Sequence, residues 1–211
     1  RPNWLNQEIR IMTAGSCFAQ HIGRYLRSGS YSLVDTEVAP SFLPTNLHER
    51  FGYGLYSARY GNIYSPRQLR QLIEEALGEI ALQTIVWSNS TGRFFDGLRP
   101  NVTPGGLSSE ELVRASRLHH LDMVREALER TEAFIFTLGL TECWIDKSSQ
   151  AALPSAPGVI AGSFDPRSTA FYNFIYHEVL ADLKAICEML WVVNPQMHIL
   201  LTVSPVPLAA T

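Results

Sequence analysis

The sequence predicts an α/β protein whose core is an open parallel sheet with helices on both faces. Short apolar segments at 9–15, 133–138 and 198–203 are separated by long stretches with apolar residues at helical spacing. The segment 133–138, AFIFTL, is almost entirely apolar, which is typical of an interior parallel strand. Because strands alternate with helices along the chain, a parallel sheet follows as the expected arrangement.

The first strand and the first helix meet in a sharp turn at residues 15–17. An apolar run from Ile9 ends at Gly15, and apolar residues at positions 18, 22, 25 and 26 then follow helical spacing. Such a turn directs unpaired backbone N–H groups and the positive helix end toward the carboxyl edge of the sheet. The turn is therefore a favourable place for a nucleophile and for a developing oxyanion.

Polar or glycine-containing sequences follow all three apolar segments. They are GSC at 15–17, GLTE at 139–142 and TVSP at 202–205. In parallel sheets, ligands bind at the carboxyl ends of the strands. We therefore expect these three stretches to lie together and to form an active site.

Between the first helix and residue 106, the sequence predicts two loops, one helix, one short strand and a segment that is either a strand or another apolar stretch. Residues 31–38 fit a strand, and the Pro-, Gly- and Tyr-rich stretch 39–65 fits a long ordered loop. A helix is predicted from Ser65-Pro66, with Gln68 completing a capping-box pattern, to Gly78. Residues 80–87 suggest a strand or another apolar segment, and 89–106 suggest a second loop.

Two further helices are predicted in the second half of the chain. Ser108 and Glu111 fit the start of a long helix that ends near Thr131. We expect its buried face to comprise Leu112, Ala115, Leu118, Leu121, Val124 and Leu128. Residues 147–165 show neither helical nor strand periodicity, so we expect an irregular segment there. The last helix is predicted from Ser168 or Thr169 to Asn194.

Composition excludes several classes of protein. The 211 residues suffice for one domain spanning 1–211, and a hydrophobic content of 46% with 18% charged residues is ordinary for a soluble protein. The net charge of −3 gives no attraction for nucleic acid.

The sequence has neither an apolar run of membrane-spanning length nor an apolar leader, so we expect a cytoplasmic location. Three cysteines without CxxC spacing, and the absence of Walker A and GxGxxG patterns, predict neither a metal nor a cofactor.

Ser16 and Cys17 are alternative nucleophiles at the turn. A cysteine at a helix N-terminus can have a lowered pKa, but the phosphatase pattern needs arginine six positions later, where Gly23 stands. Ser16 has a purely structural alternative as the helix N-cap.

Four ordered sequence blocks identify a resemblance to a known family. GSCFA at 15–19 spells the motif that names the GSCFA family, and RYGNIYS at 59–65, TLGLTECW at 137–144 and TVSPVPL at 202–208 resemble its other blocks. This family is grouped with the SGNH/GDSL hydrolases. The resemblance implies a three-layer, flavodoxin-like α/β/α fold and esterase, deacetylase or acyltransferase chemistry.

The resemblance also implies roles for individual residues. Ser16 matches the nucleophilic serine, flanked by Gly15 and Cys17, and its own N–H contributes to the oxyanion hole. Gly61 and Asn62 are candidates for further oxyanion donors, since a backbone N–H and a side-chain amide are what a tetrahedral oxyanion needs.

The third block departs from the SGNH pattern. Gly139 matches its glycine, but Thr141 and Glu142 stand where an asparagine is expected. The threonine hydroxyl can donate a hydrogen bond, whereas an ionised glutamate can only accept one. Glu142 either orients a catalytic histidine or forms a salt bridge with Arg59, Arg93 or Arg99.

The general base is not evident in the sequence. SGNH enzymes carry Asp-x-x-His after the last strand, and no such motif follows Ser204. We therefore expect that the sequence is a fragment and that the base lies beyond Thr211. His48, in the long loop, is the alternative within the chain. Packing or capping accounts for His21, and a solvated helix face accounts for His119 and His120. His177 and His198 lack metal-ligand spacing.

The leading hypothesis is a serine hydrolase or O-acyltransferase that uses Ser16 on an ester or O-acyl substrate, small or carbohydrate-linked. A non-catalytic module that binds a glycan or a protein partner is the alternative from another class. A third hypothesis is an enzyme in which Cys17, and not Ser16, is the nucleophile.

Overall fold

Three parallel strands, Ile11–Gly15, Ala133–Leu138 and His198–Val203, lie side by side in that order in the central sheet of the computed structural model, which describes residues 4–82 and 84–205. The strands are β1 (Ile11–Gly15), β2 (Val86–Ser88), β3 (Phe94–Asp96), β4 (Ala133–Leu138), β5 (Glu142–Asp146), β6 (Ala152–Leu153), β7 (Thr169–Asn173) and β8 (His198–Val203). The helices are α1 (Cys17–Ser28), α2 (Pro66–Leu77), α3 (Glu110–Arg130) and α4 (Tyr176–Val193). The protein is therefore a mixed α/β protein with a parallel sheet, as the sequence predicts.

Alternate residues of the central strands enter two different core clusters. Phe134 and Phe136 of β4 pack in a cluster that includes residues of α2, α3 and α4. Ala133 and Ile135 pack instead with Leu26 of α1. This alternation explains why β4 reads as a nearly continuous apolar run, because both sets of its side chains are buried.

Two smaller sheets accompany the parallel one. β2 and β3 form an antiparallel pair, and β5 lies between β6 and β7 in an antiparallel sheet. The strand predicted within 80–87 is thus limited to Val86–Ser88, and Gln83 lies outside the described residues. The predicted strand at 31–38 is reduced to one parallel bridge from Leu33 to Ile11.

The predicted start of the last helix is wrong. Residues Thr169–Asn173 form β7, which pairs with β5, and α4 begins only at Tyr176. The segment TAFYN contains a threonine and two aromatic residues, which favour strands, so it suits a strand once a partner strand is available. Asn194 ends α4, as predicted.

Ser65 and Gly78 cap α2 as the sequence predicts, but the capping box is not completed, because Gln68 Oε1 accepts from the Tyr64 N–H and not from the Ser65 N–H. Ser65 accepts a hydrogen bond from the Gln68 backbone N–H at 3.3 Å, and Gly78 ends α2 with a left-handed φ of 77°. Helix α3 begins one residue later than expected. Ser109, not Ser108, caps α3, and its hydroxyl accepts from the Leu112 N–H at 3.3 Å.

The buried face of α3 also differs from the expected one. Leu112 and Leu118 are exposed, while Arg117 and His120 are buried. The solvated interpretation of His120 is therefore wrong, whereas His119 is exposed as expected. Arg117 and His120 can be buried on this face because each has a partner from a segment distant in the sequence, Glu75 for Arg117 and Glu37 for His120.

Glu37 is the centre of a buried charge network that ties the long loop to α3. Its carboxylate lies 2.7 Å from His120 Nδ1, accepts from the Arg59 N–H at 2.7 Å and lies 3.4 Å from Arg99 Nη1. Arg99 in turn binds Asp96 at 2.9 Å. Burial opposes ionisation of Glu37, but the His120 hydrogen bond and Arg99 lower its pKa to about 2. Burial, with Arg99 adding repulsion, lowers the pKa of His120 to about 3, so His120 is neutral at pH 7.

Within the described residues, the structure contains no helix with the length and apolar character needed to cross a bilayer.

Candidate active site

The turn between β1 and α1 requires glycine at position 15. Gly15 has φ of 145°, and a Cβ placed there would lie 2.8 Å from Thr137 O and 2.9 Å from Ala19 Cβ. Neither contact is compatible with a side chain. The glycine therefore lets β1 pass close to β4 and lets α1 begin immediately after Ser16.

Ser16 occupies the N-cap position without acting as a side-chain cap. Its backbone is extended, and its hydroxyl makes no capping hydrogen bond. The carbonyl of Ser16 accepts instead from the Ala19 N–H at 2.9 Å. The side chain is thus uncommitted locally, and the residue retains 6% of its surface, so its access to solvent is narrow. The neighbouring Cys17 is exposed.

The long loop brings a second polar group to the turn. The Ile63 N–H donates to the Gly15 carbonyl at 2.9 Å, which fixes the RYGNIYS block at the end of β1. The Tyr56 hydroxyl lies 3.0 Å from the Ser16 carbonyl oxygen and 2.6 Å from Asn62 Oδ1. One hydroxyl thus links Ser16 to Asn62, which the sequence separates by 46 positions.

Three side chains orient the amide of Asn62. Its Oδ1 accepts from Gln20 Nε2 at 3.1 Å as well as from Tyr56, and its Nδ2 donates to the Tyr64 hydroxyl at 2.9 Å. Burial raises the pKa of Tyr56, which keeps that hydroxyl protonated and able to donate. Gly61, with φ of 72°, precedes the amide in a left-handed turn.

Sequence reasoning did not identify Gln20, Tyr56 or Tyr64. Gln20 follows Ser16 by four positions, so helical spacing alone would have placed it above the serine. No local pattern marks the two tyrosines within an aromatic-rich loop.

The end of β4 meets the same turn. A Cβ on Gly139 would lie 3.6 Å from Ser16 Oγ and 3.1 Å from the Tyr64 carbonyl oxygen. Leu140 N–H donates to that same carbonyl at 2.7 Å. Gly139 therefore lies beside the serine, and a larger residue there would press on both neighbouring segments.

The other residues of the third block have different positions from those expected. Thr141 is exposed, and its hydroxyl donates to Asn173 Oδ1 at 2.8 Å. Among residues 4–82 and 84–205, Glu142 forms no ion pair. The three arginines proposed as its partners are engaged elsewhere, Arg59 and Arg99 by Glu37 and Arg93 by backbone carbonyls. The salt-bridge interpretation of Glu142 is therefore wrong.

The third strand whose end lies at the carboxyl edge of the parallel sheet is β8, which pairs with β4. Thr137 of β4 pairs with Gly15 on one side and with Thr202 on the other, and the two threonine hydroxyls are 2.9 Å apart. The Ser204 N–H donates to the Leu138 carbonyl at 2.9 Å. The predicted meeting of three strand ends is confirmed, although residues 206–208 of the last block lie outside the described residues.

In the part of the chain that the structure describes, no histidine is hydrogen-bonded to Ser16. His48 Nε2 lies 3.0 Å from the Leu43 carbonyl oxygen, His120 is paired with Glu37, and His198 stacks on Trp4. The same residues contain no cluster of three or more His, Cys, Asp or Glu side chains that could hold a metal ion.

Fold and site together define an α/β protein with a polar site at the carboxyl edge of a parallel sheet, centred on a serine at a strand-to-helix turn. A family model described as the GSCFA family matches residues 10–211. The chain therefore belongs to the GSCFA family. Comparison with curated proteins and comparison with solved structures each gave no match.

Proposed function

We propose that this protein is an SGNH-type serine hydrolase or O-acyltransferase with the three-layer, flavodoxin-like arrangement of that class. The main support is the convergence of Ser16, Asn62 and Gly139 at one sheet edge. Tyr56 links the first two, and Gly139 approaches Ser16 Oγ directly. A nucleophile with oxyanion donors beside it is the minimum that acyl transfer requires.

In the proposed reaction, Ser16 Oγ attacks the carbonyl carbon of an ester, and its proton passes to a general base. The carbonyl oxygen becomes an oxyanion that accepts hydrogen bonds from the Ser16 N–H and from Asn62 Nδ2. Collapse of the tetrahedral intermediate breaks the ester C–O bond, and the leaving alcohol takes the proton. Water or an acceptor hydroxyl then attacks the acyl-serine by the same route and restores Ser16.

The network around Asn62 suits this role. Gln20 Nε2 donates to Oδ1, and the Tyr56 hydroxyl lies 2.6 Å from Oδ1 with its one proton shared with the Ser16 carbonyl, so the amide is held with its oxygen on these partners. Nδ2 uses one hydrogen for the Tyr64 hydroxyl and keeps a second. Thr141 is left out of the proposed oxyanion hole, because its hydroxyl already donates to Asn173.

The proposed reaction needs a general base, and the resemblance implies that this base is a histidine. The substrate is an ester or O-acyl compound, and a carbohydrate-linked acyl group is proposed by analogy with the SGNH class.

A non-catalytic binding module is the second candidate. Two observations favour it: Ser16 is only 6% exposed, and no described histidine contacts it. Such a module would keep the edge of the sheet as a recognition surface.

A fluorophosphonate probe separates the two candidates. The longest natural form of the protein is incubated with the probe between pH 6 and pH 9, and the adduct is located by peptide mass spectrometry. We expect labelling at Ser16 that Ser16→Ala abolishes and that Ser108→Ala, a matched serine change on the loop before α3, retains. Labelling should also persist in Cys17→Ser, because the thiol is not the nucleophile. Absence of a Ser16 adduct at every pH would leave the binding module as the function.

A further inference from the structure

A cavity of about 270 Å³ lies beside the proposed active site. Its walls come from the loop before α2, the end of β4 and the β5–β6–β7 sheet. The residues that line it include Tyr64, Leu140, Glu142, Trp144, Ser155 and Phe171. At ~30 Å³ for each water-sized group, this volume holds about nine such groups, enough for a small organic substituent.

Two residues that line the cavity, Tyr64 and Leu140, belong to the segments that surround the turn at Ser16. Tyr64 receives a hydrogen bond from Asn62, and its carbonyl receives one from Leu140. Leu140 follows Gly139, whose position lies beside Ser16 Oγ. The cavity is therefore separated from Ser16 only by the residues of these two segments, Tyr64 and Leu140.

One face of the β5–β6–β7 sheet forms a wall of aromatic and apolar side chains with one carboxylate. Glu142 and Trp144 are two positions apart on β5, so they share a face. Phe171 of β7 and Leu153 of β6 pair with Trp144 from the two sides. The rings of Trp144 and Phe171 meet edge to face with centroids 5.7 Å apart.

The carboxylate of Glu142 lacks a cation among the described residues. No arginine, lysine or histidine of the described ranges 4–82 and 84–205 lines the cavity. Arg67, on the neighbouring α2, is held by Asp182 with both carboxylate oxygens at 2.9 Å from Nε. Within residues 4–82 and 84–205, the buried Ser155 hydroxyl also has no hydrogen-bond partner. Gln68, another polar lining residue, uses its amide on the Tyr64 N–H and the Asn62 carbonyl.

We propose that this cavity binds a positively charged ammonium group of the substrate, with Glu142 as its counter-ion and the aromatic rings as its walls. Aromatic faces attract ammonium groups, and an unpaired carboxylate beside them adds charge complementarity. The same carboxylate disfavours anionic substituents. The inference rests on the proposed function for its link to catalysis, and it narrows the substrate to an ester that carries an ammonium group.

Choline and its neutral isostere 3,3-dimethyl-1-butanol test the proposal by binding alone. Affinities are measured by calorimetry or ligand-observed NMR on the wild type and on Ser16→Ala. We expect choline to bind about tenfold more tightly than the alcohol in both proteins, since the two probes differ only in charge. Equal affinities, or tighter binding of the alcohol, would overturn the proposal.

A charge-matched pair of variants locates the effect. Glu142→Gln should weaken choline binding about fivefold and leave the neutral alcohol unchanged. Glu129→Gln removes a carboxylate from an exposed position of α3 and should change neither affinity. An equal effect of both variants would mean that overall charge, not Glu142, attracts the cation, and the site would be rejected.

The two proposals fail separately. If Ser16 is not labelled by the fluorophosphonate but the preference for choline persists, the hydrolase is rejected and the cavity is a cation-binding site of a non-catalytic module. If Ser16 is labelled but choline has no advantage, the hydrolase stands and the ammonium specificity is rejected.

Discussion

The neutral, buried His120 should make the stability of this protein fall between pH 7 and pH 4. Its pKa is about 3 in the folded protein and 6.5 in the unfolded chain, because burial and Arg99 oppose its charge. Below pH 6.5 the unfolded state therefore binds a proton that the folded state does not. The contribution of neutral His120 to the free energy of unfolding is fully present above pH 6.5. It declines as the pH falls, by about 3 kcal/mol between pH 7 and pH 4.

Urea unfolding followed by tryptophan fluorescence measures this loss. His120→Asn keeps an N–H donor for Glu37 and removes the titration, so its stability should fall by about 3 kcal/mol less than that of the wild type over this range. His119→Asn, at the adjacent exposed position, serves as the matched control and should follow the wild type. If His120→Asn shows the same loss as the wild type, His120 does not titrate as the buried network requires.

Three other changes test the construction of the site. Gly15→Ala should destabilise the fold by about 2–4 kcal/mol, since a methyl group at φ of 145° meets Thr137 O at 2.8 Å; thermal unfolding that matches the wild type would contradict this. Ser65→Ala should cost about 1 kcal/mol by removing the α2 cap, measured by urea unfolding. Tyr56→Phe should cost about 1–2 kcal/mol, because it removes the one O–H proton that Asn62 Oδ1 and the Ser16 carbonyl share. An unchanged urea midpoint would contradict the network.

The residues at the carboxyl edge of the sheet were predictable, because the sequence patterns that mark the strand ends lie within short continuous segments. The change from an apolar run to helical spacing marks the turn at Gly15, and the apolar segment 133–138 marks the interior strand. Since parallel strands end at one edge, the meeting of Gly15, Gly139 and Thr202 followed from topology alone.

The neighbours of Asn62 and the partners of Glu142 were not predictable. Gln20, Tyr56 and Tyr64 reach Asn62 from separate segments, and no spacing rule connects them. The salt bridge expected for Glu142 fails because Glu37, some twenty positions before Arg59, takes two of the candidate arginines instead.

The sequence by itself determined the family, the positions in the chain of the three central strands and the place of Ser16 at a strand-to-helix turn, because these depend on periodicity and on residues adjacent in the chain. Only the tertiary structure decided that α3 buries Arg117 and His120 while Leu112 and Leu118 remain exposed. Burying a charged or polar group is favourable only when opposite charges and hydrogen-bond partners surround it. Here those partners come from loops and helices far away in the sequence, so the folded chain alone brings them together.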